Sequence, residues 1–299
     1  MSQPILRPLG SGEILDGAFT LYRRNFPLFL ATAGIPSVVL LAAFRLLGRG
    51  LVAAMAGGDP GALAAAALGG GFVVMVVSVG SALVMWNALT HQAAQAYTGR
   101  PASIADGLRV GMRRALPLLG STLIAFLGLM LAAVGVSVVL MIVLLVFSVL
   151  GAAGAVVGAL LTFLAWVAVF LAAFGVLFAV TPAIVVEGAG PLEAVERSFA
   201  LSRDALGRVV GVLLVALLIT YLPSVAVDWL TGGFAQLMNP SVMPTPGTLM
   251  TRQLLSIAVA AITTPFLVAV IVLLYFDRRV RTEALDVQMM ADRLAAAGD

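Results

Sequence analysis

Few residues in this chain have the chemistry of a catalytic or metal centre, and their spacing excludes most of the familiar ones. His91 is the single histidine, which rules out every two-histidine metal signature. There is no cysteine, so neither a disulfide framework nor a thiolate metal site can form. All 17 basic residues are arginine, which removes a Schiff-base lysine and the lysine of a phosphate-binding loop. No nucleophile elbow and no cluster of acids occurs. His91 lies among Asn87, Thr90, Gln92 and Gln95. A proton relay there would need a carboxylate at membrane depth, and none is placed deeply. What remains is paired charge. Asp277 and Arg281, Arg279 and Glu283, and Glu193 and Arg197 are each four apart, the spacing that brings opposite charges together on one helix face. That chemistry is ion pairing and docking, not bond making. The expectation is a protein that is not an enzyme, with no cofactor, no metal and no nucleic-acid partner.

The elements that carry these charges are set by hydropathy. Of 299 residues 62 % are hydrophobic and 10 % charged, far from the near-half apolar and quarter charged composition of soluble domains. About 20 apolar residues cross the hydrocarbon of a bilayer. Spans are expected at Pro27 to Leu47, Leu68 to Thr90, two within the charge-free stretch Leu116 to Val186, Val209 to Trp229 and Leu254 to Phe276. A Gly- and Ala-rich loop is expected around Gly57 to Gly61, and a turn near Gly151 to Gly154. Gly154 and Gly158 have the spacing of a close helix contact. The first 26 residues carry Glu13 and Asp16 and lack the short apolar core of a cleavable leader.

The arginines orient these spans. Arg45, Arg49 and Arg252 fall on one side and the other fourteen on the other. By the positive-inside rule, both termini are expected in the cytoplasm of a plasma-membrane protein. Near the outer ends, Asp228 with Arg252 or Arg45 is an expected outer-face ion pair, weighed against arginines that snorkel to the interface.

An internal repeat accompanies the spans. Asp16-Gly17 aligns with Asp106-Gly107, and Arg23-Arg24-Asn25-Phe26-Pro27-Leu28 then falls on Arg113-Arg114-Ala115-Leu116-Pro117-Leu118 without a gap. At the same interval again, Glu13 meets Glu193, Asp16 meets Glu196, Phe19 meets Phe199 and Arg23 meets Arg203. Each copy reads as an amphipathic helix followed by two spans. In the first, Ile14, Leu15, Ala18, Phe19, Tyr22 and Phe26 form an apolar stripe, Ser11 is the expected N-cap, and arginines close the last turn. Such helices lie at headgroup level and form a cytoplasmic collar that anchors the protein or docks a partner or anionic lipid.

The sixth span runs into Leu273-Leu274-Tyr275-Phe276-Asp277-Arg278-Arg279-Val280-Arg281-Thr282-Glu283-Ala284-Leu285-Asp286. This resembles the closing motif of the glycerophosphoryl diester phosphodiesterase membrane-domain family, with Phe276 in place of that family's second tyrosine. Gly12-Glu13-Ile14-Leu15-Asp16, Leu21-Tyr22-Arg23-Arg24-Asn25-Phe26 and Glu193 to Ser202 are similar to it as well. The resemblance implies a six-span membrane module without the attached catalytic domain, which needs histidines and length that this chain lacks. A terminal helix over 277–299 is expected, with Val280, Ala284, Val287 and Leu294 as its apolar stripe and its arginines paired to the acids of the collar.

The sequence thus predicts one all-α membrane domain over 1–299: a six-span bundle of three repeats at about 11–99, 100–189 and 190–276, with the terminal helix after them. It is expected to act as a non-catalytic scaffold or accessory subunit, with membrane lipids and a cytoplasmic or membrane protein as partners. The alternative is a transporter or lipid-handling protein, with Pro36, Pro182, Pro223 and Pro265 breaking helices at membrane depth as transporter sites do.

Overall fold

The computed structural model describes residues 7–239, 241 and 245–283, and every described element is helical. A short helix α1 (Ser11–Arg24) leads into two long ones, α2 (Phe26–Gly57) and α3 (Pro60–Tyr97). Next come α4 (Ile104–Arg113), α5 (Ala115–Ser148) and α6 (Gly151–Val176). After α6, a helical turn α7 (Val180–Pro182) and a π-turn (Ala183–Glu187) precede α8 (Pro191–Ser202). The chain ends in α9 (Leu206–Leu230), α10 (Gly233–Met238) and α11 (Pro246–Glu283). Among the described residues six segments are long and apolar enough to cross a bilayer, so this is a multi-pass membrane protein.

Charged positions bracket the apolar slab. Arg208 and Asp228 on α9 lie about 30 Å apart at helical rise, matching a hydrocarbon core of about 30 Å. The end bearing α1, α4 and α8 is called the charged end here, and the opposite end the hairpin end.

The helices close in a cyclic order. Short helix α4 lies on α2 and α3, α8 on α5 and α6, and α1 on α9 and α11. Between pairs, α3 touches α5, α6 touches α9 and α11 touches α2. The ring is uneven in depth. In α11, 61 % of the apolar stretch is shielded inside the molecule, against 0 % in α5. The core is accordingly built on Phe266 to Phe276 of α11, with Ile14 and Ala18 of α1, Phe29 and Ala33 of α2, Leu89 and Ala93 of α3, and Val209 and Leu213 of α9.

Several expectations change. The first hairpin turns at Gly58 and Asp59 alone, with Gly58 left-handed at φ 67°, a conformation glycine adopts without the Cβ penalty. Helices α2 and α3 continue through the Gly/Ala-rich sequence because alanine favours helix and glycine only weakens it. The second turn comes at Val149 and Leu150, before Gly154. Gly154 and Gly158 hold that hairpin shut: a Cβ at Gly154 would meet the Phe147 carbonyl at 2.1 Å, and one at Gly158 the Phe147 Cβ at 2.9 Å. Pro36, Pro223 and Pro265 lie inside unbroken helices, and Pro182 lies in the helical turn beyond α6. Of these four prolines Pro182 alone stands next to a helix interruption, at residues 177–179 near the charged end of the fourth span. The motif from Leu273 to Glu283 is the last part of α11 rather than the start of a separate helix. Ala284, Asp286, Val287 and Leu294 lie outside the described residues.

Candidate functional site

At the charged end, α1 is begun by Gly10, not Ser11. The backbone N–H of Gly10 donates to Glu13 Oε2 at 2.6 Å, and Arg7 pairs with the same carboxylate at 2.5 Å. The guanidinium and the Gly10 N–H together hold the Glu13 carboxyl below the usual glutamate range. Glu13 wins the cap because its carboxylate reaches back to an orphan N–H of the first turn. From there α1 runs along α11. A Cβ at Gly17 would lie 2.9 Å from Leu273 Cδ2, Phe19 and Tyr22 meet Phe266 edge-on, and the Tyr22 hydroxyl donates to the Ile262 carbonyl at 3.0 Å.

Two charge networks form around the end of α11. In the first, Asp277 is fully withdrawn from solvent. It accepts the Leu9 N–H at 2.7 Å, meets Arg281 Nε at 3.0 Å and lies 3.3 Å from an Arg208 terminal nitrogen. Arg281 also donates to the Leu9 carbonyl at 2.7 Å, and Arg208 donates to that same oxygen. One buried carboxylate thereby ties α11, α9 and the segment before α1 together. Next to it, Arg278 Nε donates to the Leu201 carbonyl at the end of α8 at 2.8 Å.

The second network centres on Glu187, the residue that ends the charge-free stretch. Arg197 of α8 binds it with Nε at 2.9 Å, Arg279 Nε lies 3.4 Å away, and the Tyr275 hydroxyl donates to it. Arg197 and Arg279 both reach Glu283 as well, the latter at 3.0 Å. Arg279 lies over the Tyr275 ring, 5.7 Å from its centroid. Tyr275 is completely buried. Phe276, where the resembled motif has a tyrosine, stacks against Tyr97 at 5.3 Å.

Among the described residues, Arg278, Arg279 and Arg281 of the tail therefore do not pair with the acids of the short helices. Glu13 takes Arg7, Asp106 takes Ser103 and, at 3.8 Å, Arg109, and Glu193 caps α8 through the Gly190 N–H at 3.1 Å. Arg197 accordingly turns away from Glu193 toward Glu187 and Glu283. Asp16 and Glu196 are exposed, and Arg203 meets only its neighbour Asp204 at 3.7 Å. Arg114 reaches the Gly188 carbonyl. Arg23, Arg24 and Arg113 are exposed and form no ion pair among the described residues. Glu187, Arg208 and Arg278 were not singled out from the sequence. Only Glu187 had a readable signal, as the first charge after the charge-free stretch Leu116 to Val186.

A polar cluster accompanies the end of α3. Gln92, fully buried, donates to Thr32 Oγ1 at 2.7 Å and to the Ser103 carbonyl at 3.0 Å, and Asn87 faces the Gly111 carbonyl at 3.5 Å. The side-chain oxygens of both amides are unbonded. His91 is half-buried beside them. At the hairpin end Asp228 lies 3.7 Å from Arg252. Arg252 also bonds Thr231 Oγ1 at 3.1 Å and Gln236 at 3.2 Å, while Arg45 is exposed and joins no ion pair among the described residues. Among the described residues no group of His, Cys, Asp or Glu is arranged to hold a metal ion.

Neither the curated proteins nor the solved structures contain a match to this chain. The model of a family described only as a domain of unknown function matches residues 12–278, from the first turn of α1 to the two charge networks on α11. The chain belongs to that family, DUF7847.

Proposed function

We propose that this protein is a non-catalytic membrane scaffold or accessory subunit whose charged end faces the cytoplasm and docks a protein partner. What supports the reading is a division of labour among arginines. Arg197, Arg208, Arg278, Arg279 and Arg281 are all bonded inside the molecule. Arg23, Arg24, Arg100 and Arg113 are exposed and without ion pairs among the described residues. Phe19, Met112, Leu116 and Phe199 lie exposed on the same short-helix rim or next to it. A braced frame with a basic, partly apolar rim suits an acidic partner or a membrane-bound one. The cyclic helix order and the aligned sequence copies also favour three equivalent units, and the Tyr275 to Glu283 segment favours kinship with the glycerophosphoryl diester phosphodiesterase membrane domains.

The test is purification in gentle detergent of the wild type and of the Arg23→Glu/Arg24→Glu/Arg113→Glu variant. A stoichiometric partner lost from the variant, with melting unchanged, supports docking at the rim. A wild type that carries no stoichiometric partner overturns it. Orientation is tested with single cysteines at Ala56 and Val149, both exposed at the hairpin end. Labelling of either from the cytoplasmic side overturns the assigned direction.

A further inference from the structure

An apolar cleft of about 540 Å³ opens between the outer halves of α2 and α3, within the roughly 300–1,000 Å³ of ligand pockets. Its walls carry no polar side chain: Val39, Ala42, Leu46 and Leu47 face Ala66, Gly69, Gly70 and Val73. Glycine makes the space. At Gly50 and Gly69, both in the wall, an added Cβ would meet nothing within 4 Å. At Gly70, by contrast, it would lie 2.4 Å from Leu47 Cδ1, so this glycine lets the two helices cross closely beneath the opening.

The cleft runs from mid-depth toward the charge level at the hairpin end, and two arginines stand there. At 100° per residue, Arg49 projects about 20° and Arg45 about 60° beyond Ala42, the lining residue at that side of α2, so Arg49 borders the cleft and Arg45 stands next to it on the same side. Both are exposed and form no ion pair among the described residues. An arginine at the end of a span with no protein counter-charge is suited to a phosphate oxygen. Asp59, the nearest acid along the chain, is spent capping α3 at the Gly61 N–H.

We propose that this cleft is a binding site for an anionic phospholipid, with one acyl chain between α2 and α3 and the headgroup phosphate on Arg45 and Arg49. The site lies at the opposite end from the docking rim and stands independently of it. Bulk lipid would fill any groove. The arginine pair makes this one selective for net negative charge, by roughly fivefold per arginine, the attraction of one basic residue for an anionic surface.

The experiment is native mass spectrometry of the full chain after exchange in vesicles of equal parts phosphatidylglycerol and phosphatidylcholine. The wild type is expected to retain phosphatidylglycerol preferentially. Gly50→Leu/Gly69→Leu, which fills open space on helix positions, is expected to lose the bound lipid with its melting temperature kept. Arg45→Gln/Arg49→Gln is expected to retain both lipids equally. Arg23→Gln/Arg24→Gln is the control at the other end and is expected to behave as wild type. Equal retention of both lipids by the wild type, undiminished retention in the glycine variant, or loss of selectivity only in the Arg23/Arg24 control would each overturn the proposal.

Discussion

The carboxylate of Asp277 accepts the backbone N–H of Leu9 across 268 positions of sequence, and it does so from a site with no solvent exposure. Two guanidiniums compensate its charge. A buried carboxylate is tolerable only when paired and hydrogen-bonded, and here three donors share it. Asp277→Asn strands Arg208 and Arg281 together. Breaking a fully buried pair costs about 3–5 kcal/mol. Since Arg208 and Arg281 remain 24 % and 35 % exposed, about 2–3 kcal/mol is expected, read as a lower melting temperature in detergent. Arg281→Gln should cost less, because Arg208 stays with the carboxylate.

Tyr275 and Glu187 give a graded test of the second network. Tyr275→Phe removes one hydrogen bond to a carboxylate that keeps Arg197 and Arg279, so about 1 kcal/mol is expected. Tyr275→Ala empties a fully buried ring site and should cost about 3–5 kcal/mol. Equal losses in the two variants would show that the hydroxyl, not the packing of the ring, dominates. Glu187→Gln should exceed Tyr275→Phe, since two arginines then share Glu283 alone.

Glu13 makes the anchoring of α1 sensitive to acid. Its folded value lies below that of the free side chain because Arg7 and the Gly10 N–H favour the ionised form. A depressed carboxyl stabilises above its unfolded value and loses that contribution as pH falls through its folded value. Protection of the α1 amides from hydrogen exchange should therefore decline in the acid range. Glu13→Gln should show weaker protection at neutral pH and a flatter profile below it.

At the hairpin end the pair Asp228 and Arg252 is unequal. Asp228 is 56 % exposed and 3.7 Å from its partner, a contact worth under about 1 kcal/mol. Arg252 has bonds to Thr231 and Gln236 besides. Arg252→Gln should lower the melting temperature measurably, while Asp228→Asn should leave it within error.

Glycines at the seam of α3 and α4 should be intolerant where those of the cleft are not. A Cβ at Gly111 would lie 2.6 Å from the Val84 carbonyl and 3.2 Å from the Ala88 Cβ. Both partners are helix backbone or short side chains that cannot swing aside. Gly111→Ala is expected to cost about 1–3 kcal/mol by forcing the helices apart. Gly69→Ala, facing open space, is expected to be neutral or mildly stabilising.

The spans and the short helices were legible because each rests on a local rule: 20 apolar residues for a crossing, and a three-and-four stripe for α1. The extents of α2 and α3 were not, because these helices continue past the slab into Gly- and Ala-rich sequence at one end and a polar stretch at the other, where hydropathy no longer marks the boundary. The i,i+4 pairs Asp277 with Arg281 and Arg279 with Glu283 could be read from spacing. Arg197 could not, because Glu193 had the right spacing but a stronger claim as a helix cap. The partners Glu187, Arg208 and the Leu9 backbone come together only through tertiary packing, which periodicity does not encode.

Helix α11 is made after all five other spans, yet α1, α2, α3, α8 and α9 all lean on it. At about 5–20 residues per second of synthesis, the first hairpin waits on the order of ten seconds in the bilayer before the strut it closes on exists. In that interval the Ile14 and Ala18 face of α1 lacks its main partner and has α2, α3 and α9 beside it, and Glu187 and Arg197 are without Tyr275 and Arg279. Insertion and folding are therefore separate events in the life of this chain. A chain that stops before Asp277 has its crossings and the core residues of α11 but lacks the charged groups that fasten α11 to α8, α9 and the segment before α1.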